Sequence, residues 1–320
     1  MAGIIYSDYY LPEYCLPVWD FLKCSKFKHA QNEDFCECFI SQSKQELICI
    51  EPEKDEIQML NVIMKRFFEN CSIPRDQITH IIYTSLDNWS KNGVYIPYYL
   101  QENYGLSKAS VTGVLQECVT TLQAFQYASA LVDSGMEKNV LIISVCHGRQ
   151  MEDRYTGTTV VGDGASIALI GKENYISEII GSASLSDGRY SFYKYNKMTP
   201  KISGLDIAKK GSDFMLKLLE DNNLTLNDID LIIPQNINYS EYHMYSQNLG
   251  ILIEKFYDRN ISKGGHLAEV DSIRNYTDLI KDNFSKTPSK VLLYGSGTIG
   301  DGMDAVFNAV ILDIRRKSDE

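Results

Sequence analysis

The chain has 320 residues, 44% of them apolar, which is enough for one large domain or for two packed halves that each bury a core. Its formal charge of −11 and the lack of a basic block argue against a nucleic-acid partner, whose phosphates need a concentrated positive surface. No apolar run reaches the roughly 18–20 residues that cross a membrane.

The opening, MAGIIYSDYYLPEYC, has neither a basic leader region nor a small-residue cleavage site, so a cytoplasmic setting with all eight cysteines reduced is expected. Cys36 and Cys38 form a C-x-C without partner pairs at zinc-like spacing, so no metal site is expected. An acidic partner would need a local basic patch. Lys26 to His29, Arg149 with Arg154, and Lys209 with Lys210 are the candidates, and each also reads as solvated surface.

In chain order, DEIQMLNVIMKRFFENC carries Ile57, Leu60, Met64 and Phe67 at helical spacing, which predicts one apolar helix face. Ile78 to Tyr83 is short and apolar, as a buried strand is. GVLQECVTTLQAFQYASALV follows, placing Cys118 just ahead of a predicted helix with Leu122, Phe125 and Val132 on one side. Ala124, Ala128 and Ala130 are small enough there for close packing. A second strand is expected from Val140 to Val145, and GDGASIALI runs from Gly162 to Ile170.

The same series then recurs. GSDFMLKLLEDNN predicts a helix with Phe214, Met215, Leu218 and Leu219 on its buried face, and strands follow at Ile229 to Ile233 and Val291 to Tyr294. Ile78 answers Ile229 and Val140 answers Val291 at one offset of 151 positions, and the GDG triplet at Gly162 is echoed at Gly300. The chain therefore reads as two copies of one unit, residues 1–172 and 173–320. Strands alternating with helices predict a five-layer α/β sandwich of two packed halves.

The duplication makes Cys118 more than one thiol among eight. It lies 22 residues before Val140, and His266 of KGGHLAEVDSIRNYTDLI lies 25 before Val291, so both are expected at the N-termini of equivalent central helices. A helix N-terminus favours a thiolate, and its free N–H groups can bind the oxyanion of a tetrahedral intermediate. A nearby imidazole can take a proton from an alcohol, amine or thiol, and Asp271 is placed to orient the ring. His29, His80, His147 and His243 are expected to be structural or solvated.

This ordered set resembles the β-ketoacyl synthase III-like enzymes of the thiolase superfamily over the whole chain. IIYSDYYLPE resembles their first strand and Leu-Pro turn, GVLQECVTTLQAFQYASALVDSG the nucleophile motif, and GDGASIALI the Gly-Asp-Gly-Ala strand. DIDLIIPQNIN resembles the segment that usually reads Pro-His-Gln-Ala-Asn, and VLLYGSGTIGDG resembles the glycine-rich C-terminal turn. The resemblance implies an αβαβα fold, a homodimer, and acyl transfer through a cysteine thioester. It implies no permanently bound cofactor, the acyl group arriving on acyl carrier protein phosphopantetheine or on coenzyme A. Cys118 matches the nucleophile, and the backbone N–H groups of Cys118 and Gly297 match the oxyanion hole. Asn236 and Asn238 fall where substrate is bound.

The sequence departs from the family at the other two catalytic positions. Gln235 stands where the family has His, and His266 where it has Asn. Decarboxylative condensation needs two donors to an enolate, which Gln235 and His266 can still supply. A single imidazole near a cysteine, with Asp271 in reach, suits deprotonation of a heteroatom nucleophile. The chain thus resembles the members that make esters or amides in natural-product pathways. Carbon–carbon bond formation and a non-catalytic partner subunit are the alternatives.

Overall fold

The structure, a computed structural model, describes residues 1–85, 89–199, 202–282, 288–299 and 304–315. The Gly300 triplet of the sequence repeat lies outside these residues. Nine strands form the large sheet: β1 Gly3–Tyr10, β2 Ile78–Thr84, β3 Ser110–Val114, β4 Asn139–Cys146, β5 Gly164–Gly171, β6 Ser177–Asp187, β7 Leu231–Ile233, β8 Lys290–Ile299 and β9 Asp304–Ile314. The order across the sheet is β7-β8-β9-β6-β1-β5-β4-β2-β3.

This order holds two copies of one pattern. From β1, the strands β5, β4 and β2 follow antiparallel, antiparallel and parallel, and from β6 the strands β9, β8 and β7 do the same. The seam between the copies is thin, with only Gly3 opposite Glu178 and Ile4 opposite Ser177. The repeat extends to register. His80 faces Val140 and Leu231 faces Val291, both pairs separated by the same 151 positions.

Seven helices matter for the layers and the site: α1 Glu33–Ser43, α2 Glu56–Asn70, α3 Ile96–Asn103, α4 Thr120–Asp133, α5 Gly204–Asp221, α6 Tyr239–Leu249 and α7 Asp271–Lys281. Leu122, Phe125 and Val132 of α4 and Ile273, Tyr276 and Leu279 of α7 pack with side chains from both copies of the sheet, so these two helices form the central layer. The alanines of α4, at Ala124 and Ala128, let the strands approach closely. Outside, Met59, Leu60, Ile63 and Phe67 of α2 cover the first half-sheet with α3, while Phe214, Met215 and Leu218 of α5 cover the second with α6. The result is the five-layer αβαβα sandwich of two pseudo-equivalent halves. β4 and β5 are buried along their whole length because helices cover both faces, which is why their sequence is a continuous apolar run.

Local signals set the helix starts. Asp55 and Gln58 form a capping box that opens α2, and Ser203 with Asp206 opens α5, seven residues before the apolar pattern begins at Gly211. Ile229 lies outside β7, which begins at Leu231 after a one-turn 3-10 segment at Leu226–Asp228.

The expectation of eight reduced cysteines is overturned. Cys15 and Cys49 are joined in a disulfide, and six cysteines among the described residues are free. The reason is register: Cys15–Pro17 pairs antiparallel with Leu47–Cys49, which sets Cys15 opposite Cys49. Leu47–Cys49 is the middle strand of a small three-stranded sheet whose other edge is Lys263–Gly264, two residues before His266. Cys36 is buried and its thiol donates to the Ala30 carbonyl (3.2 Å). Among the described residues no group of three or more His, Cys, Asp or Glu is placed to hold a metal ion, and no helix is long and apolar enough to cross a membrane.

Candidate active site

Cys118 stands two residues ahead of the first residue of α4. Glu117 before it has φ +50°, a left-handed conformation that costs a non-glycine residue about 1–3 kcal/mol and marks functional turns. Thr120 locks this turn by accepting from the Gln116 N–H (2.8 Å) and donating to the Glu117 carbonyl. The thiol points at the Ser296 carbonyl, 3.7 Å away, on β8. A Cβ on Gly297 would come within 3.2 Å of the sulfur, so a glycine lets β8 run against Cys118.

The expected stabilisation of a thiolate is reversed. Burial, and then the carboxylates of Glu117, Glu269, Asp271 and Glu241, push the Cys118 thiol well above its ordinary range. Burial, reinforced by these carboxyl groups, outweighs the partial positive charge of one helix end. The resting group is a thiol, so its reaction requires a base.

His266 is the candidate for that base. His266 and Cys118 line the same cavity, of about 710 Å³. His266 is held through its backbone: its N–H donates to Val160 (3.0 Å) and its carbonyl accepts from Gly162 (3.0 Å). Gly162 has no space for a side chain, since a Cβ there would lie 2.1 Å from the Gly264 carbonyl oxygen. The Gly162-Asp163-Gly164 triplet is thus the clamp behind the imidazole. Asp163 completes it through a buried bidentate pair with Arg154 (3.0 and 2.9 Å).

Asp271 is fully buried and its carboxylate lies 2.6 Å from Nδ1 of His266. It also accepts from the N–H groups of Leu267 (3.0 Å) and Asn236 (2.9 Å) and from the Asn236 amide (3.1 Å). A carboxylate with that many donors takes the imidazole N–H at Nδ1, which leaves Nε2 as the ring's acceptor. The geometry is a His–Asp pair that a third group orients from behind.

The placement differs from the sequence expectation in one respect. At the 151-residue offset Cys118 corresponds to Glu269, not to His266. Glu117 corresponds to Ala268, which also has positive φ (+47°), and Thr120 to Asp271, each the first residue of its helix. His266 lies three residues upstream of the position equivalent to the nucleophile. The buried Glu269 occupies that position, and the Thr121 hydroxyl donates to its carbonyl (2.6 Å), joining the two helix starts.

The other expected site residues fall in different roles. Gln235 is buried, with its amide nitrogen donating to the backbone carbonyls of Cys118 (2.6 Å) and Ala268 (3.4 Å). Asn236, expected against substrate, is fully buried behind Asp271 and also bonds Asn275 (3.2 Å). Asn238 does line the cavity, where it caps α6 by accepting from Ser240 N–H (3.0 Å) and donates to the Thr158 carbonyl (3.0 Å). His147 pairs with the buried Glu56 (3.3 Å), His80 bonds Ser110 (2.5 Å), and His243 packs edge-on to Tyr239. His29 lines the mouth of the cavity with Phe35 and Tyr155. Sequence reasoning passed over Glu241 on the cavity wall. Its only signal was an acid in the aromatic-rich stretch NYSEYHMY, one turn before Tyr245.

A half-buried cysteine on a strained turn and a His–Asp pair thus line one cavity in a five-layer sandwich of two pseudo-equivalent halves. Residues 114–188, from just before Cys118 to the end of β6, match the family model of 3-oxoacyl-[acyl-carrier-protein] synthase III. The chain is 27% identical over 207 residues to the β-ketoacyl-[acyl-carrier-protein] synthase III of Staphylococcus aureus (strain JH1), covering 62% of this chain. It spans 66%, just under two thirds, of the length of that curated relative.

Solved structures share the fold over nearly the whole chain. The 3-oxoacyl-[acyl-carrier-protein] synthase III of Aquifex aeolicus VF5 superposes with a TM-score of 0.80 at 20% identity, covering 98% of this chain and 100% of the other. An acyltransferase, ChlB3, superposes with a TM-score of 0.80 at 16% identity, covering 98% and 97%. OleA of Xanthomonas campestris superposes with a TM-score of 0.76 at 10% identity, covering 98% of each chain.

Proposed function

We propose that this protein is an acyltransferase that moves an acyl group from an acyl carrier protein or coenzyme A thioester, through Cys118, to a small-molecule acceptor, forming an ester or amide in a biosynthetic pathway. The observation that carries the reading is the His266–Asp271 pair facing the same cavity as a cysteine whose surroundings disfavour its thiolate. Residues 1–172 supply the nucleophile and residues 173–320 the base. The implied homodimer would add a second copy at β3, which ends the large sheet and pairs on one side only among the described residues.

In the first step Nε2 of His266 takes the Cys118 proton as sulfur attacks the thioester carbonyl. The carrier thiolate leaves and recovers that proton. In the second step Nε2 takes the proton of the acceptor hydroxyl or amine as it attacks acyl-Cys118, and the Cys118 thiolate leaves and is reprotonated. The oxyanion in both steps is assigned to the backbone N–H groups of Cys118 and Gly297, with Gly297 lying against the sulfur. Asp271 keeps the ring in the required tautomer and stabilises the imidazolium.

Heteroatom acylation is favoured over decarboxylative condensation by one observation. The amide nitrogen of Gln235 is already committed to two backbone carbonyls, so Gln235 does not supply beside His266 the second donor that an enolate needs. Intact mass and peptide mapping after incubation with a panel of acyl thioesters test the proposal. An adduct is expected on Cys118 and lost in Cys118→Ala. It should be discharged by an alcohol or amine, and a malonyl thioester should release no carbon dioxide. Decarboxylation at a comparable rate would establish the condensing reaction instead, and an adduct that survives Cys118→Ala would remove the nucleophile.

A further inference from the structure

Glu241, the third residue of α6, lines the cavity that Cys118 and His266 share. Its charge acts on Cys118 and on Tyr242, Tyr245 and Tyr294. The wall it belongs to is polar: the Tyr294 hydroxyl donates to Tyr245 (3.0 Å), and Tyr245 donates to Ser296 (3.3 Å), whose carbonyl faces the nucleophile. Among the described residues Glu241 has no ion pair and no side-chain hydrogen bond, although His29 and Arg149 line the same cavity. Burial alone, with no cation to offset it, holds its carboxyl up at about 7. The mechanism uses His266 and Asp271 and has no role for this group. A part-buried carboxyl with no protein partner, set in the wall of a cavity, is open to a ligand that supplies one.

We propose that Glu241 is a specificity determinant that binds an amino group of the substrate, as its ammonium, inside the cavity beside Cys118. The proposal deepens the acyl-transfer reading and rests on it only for the identity of the cavity as the substrate site. A ligand ammonium would bring the positive charge that the wall lacks, and two or three of its protons would find acceptors in Glu241 and the adjacent hydroxyls. An aliphatic chain or a neutral alcohol would leave the carboxyl as it is. The amino group can belong to the acyl chain or to the acceptor, since both occupy this cavity.

The test reads binding rather than turnover. Alkylation of Cys118 by iodoacetamide is followed by peptide mass at rising concentrations of hexylamine or hexan-1-ol. Hexylamine should protect the wild-type protein at concentrations at least about tenfold lower than the alcohol, the discrimination expected of one charge-assisted contact. Glu241→Gln should erase that preference and leave protection by hexan-1-ol within about twofold. Glu241→Asp, which retains the charge, should keep the preference, and matched thermal melts show that both variants are folded. Equal protection by the two probes, protection by neither, or a preference that persists in Glu241→Gln would overturn the proposal. A protein that prefers the amine through Glu241 yet never carries an acyl group would keep this inference and lose the acyl-transfer reading.

Discussion

At the scale of single residues, the proposed mechanism assigns one base, His266, to two proton transfers. Because burial and four carboxylates disfavour the Cys118 thiolate, loading needs His266 as much as discharge does. His266→Ala is therefore expected to slow both formation and release of acyl-Cys118 by about 100- to 10,000-fold, the usual range for a general base. Asp271→Asn should act in the same direction by a smaller factor, since it removes the ring's orienting charge but keeps its position. Single-turnover measurement of each half-reaction checks this. A variant that loads normally and fails only to discharge would show that the thiol ionises without the imidazole.

At the scale of elements, the approach to His266 is built by a small sheet outside the sandwich. Lys263–Gly264 pairs with Leu47–Cys49, and Leu47–Cys49 is tied to Cys15–Pro17 by the Cys15–Cys49 bond. The bond spans 34 positions, a loop whose closure in the unfolded chain is worth roughly 3–4 kcal/mol. Reduction should lower the unfolding free energy by about that amount, and the Cys15→Ser/Cys49→Ser double variant should be insensitive to reductant. Thiol titration of the denatured, unreduced protein should find six groups rather than eight. Eight titrating thiols would mean that the bond does not form under the conditions of purification.

At the scale of the whole molecule, global stability carries the cost of the cavity. Glu241 has an ordinary value of 4.5 and is raised to about 7 in the folded protein. Between these values the unfolded chain has released the proton while the folded chain retains it, so stability falls as pH rises through this window. The effect of this group is absent below about pH 4.5 and complete above about pH 7. Glu241→Gln should therefore match the wild type at low pH and exceed it by roughly 1–3 kcal/mol near neutrality. Denaturant melts of both proteins from pH 4 to 8 would show the curves diverge as pH rises, and parallel curves would mean that the carboxyl is already compensated.

Much of this architecture was readable before any coordinate. Leu60, Met64 and Phe67 at helical spacing, the continuous apolar runs of β4 and β5, and the 151-residue offset each follow from periodicity, which is a local property of the chain. The offset even carried the strand register, because equal spacing between paired strands gives equal pairing. Cys118 was legible for the same reason, as the cysteine just ahead of the first central helix. What periodicity could not give was chemistry that depends on neighbours remote in sequence. The rise of the Cys118 thiol comes first from burial, then from Glu117 beside it and from Glu269, Asp271 and Glu241 more than a hundred positions away. The Cys15–Cys49 bond depends on which strands lie side by side, and the true counterpart of Cys118, Glu269, was hidden because reactivity drew attention to His266 instead. Sequence by itself determined the elements, their duplication and Cys118 as the candidate nucleophile. Only the tertiary structure decided the protonation state of that nucleophile, the partner of each buried polar group and the unpaired charge on the cavity wall, because desolvation and Coulomb interaction act through space rather than along the chain.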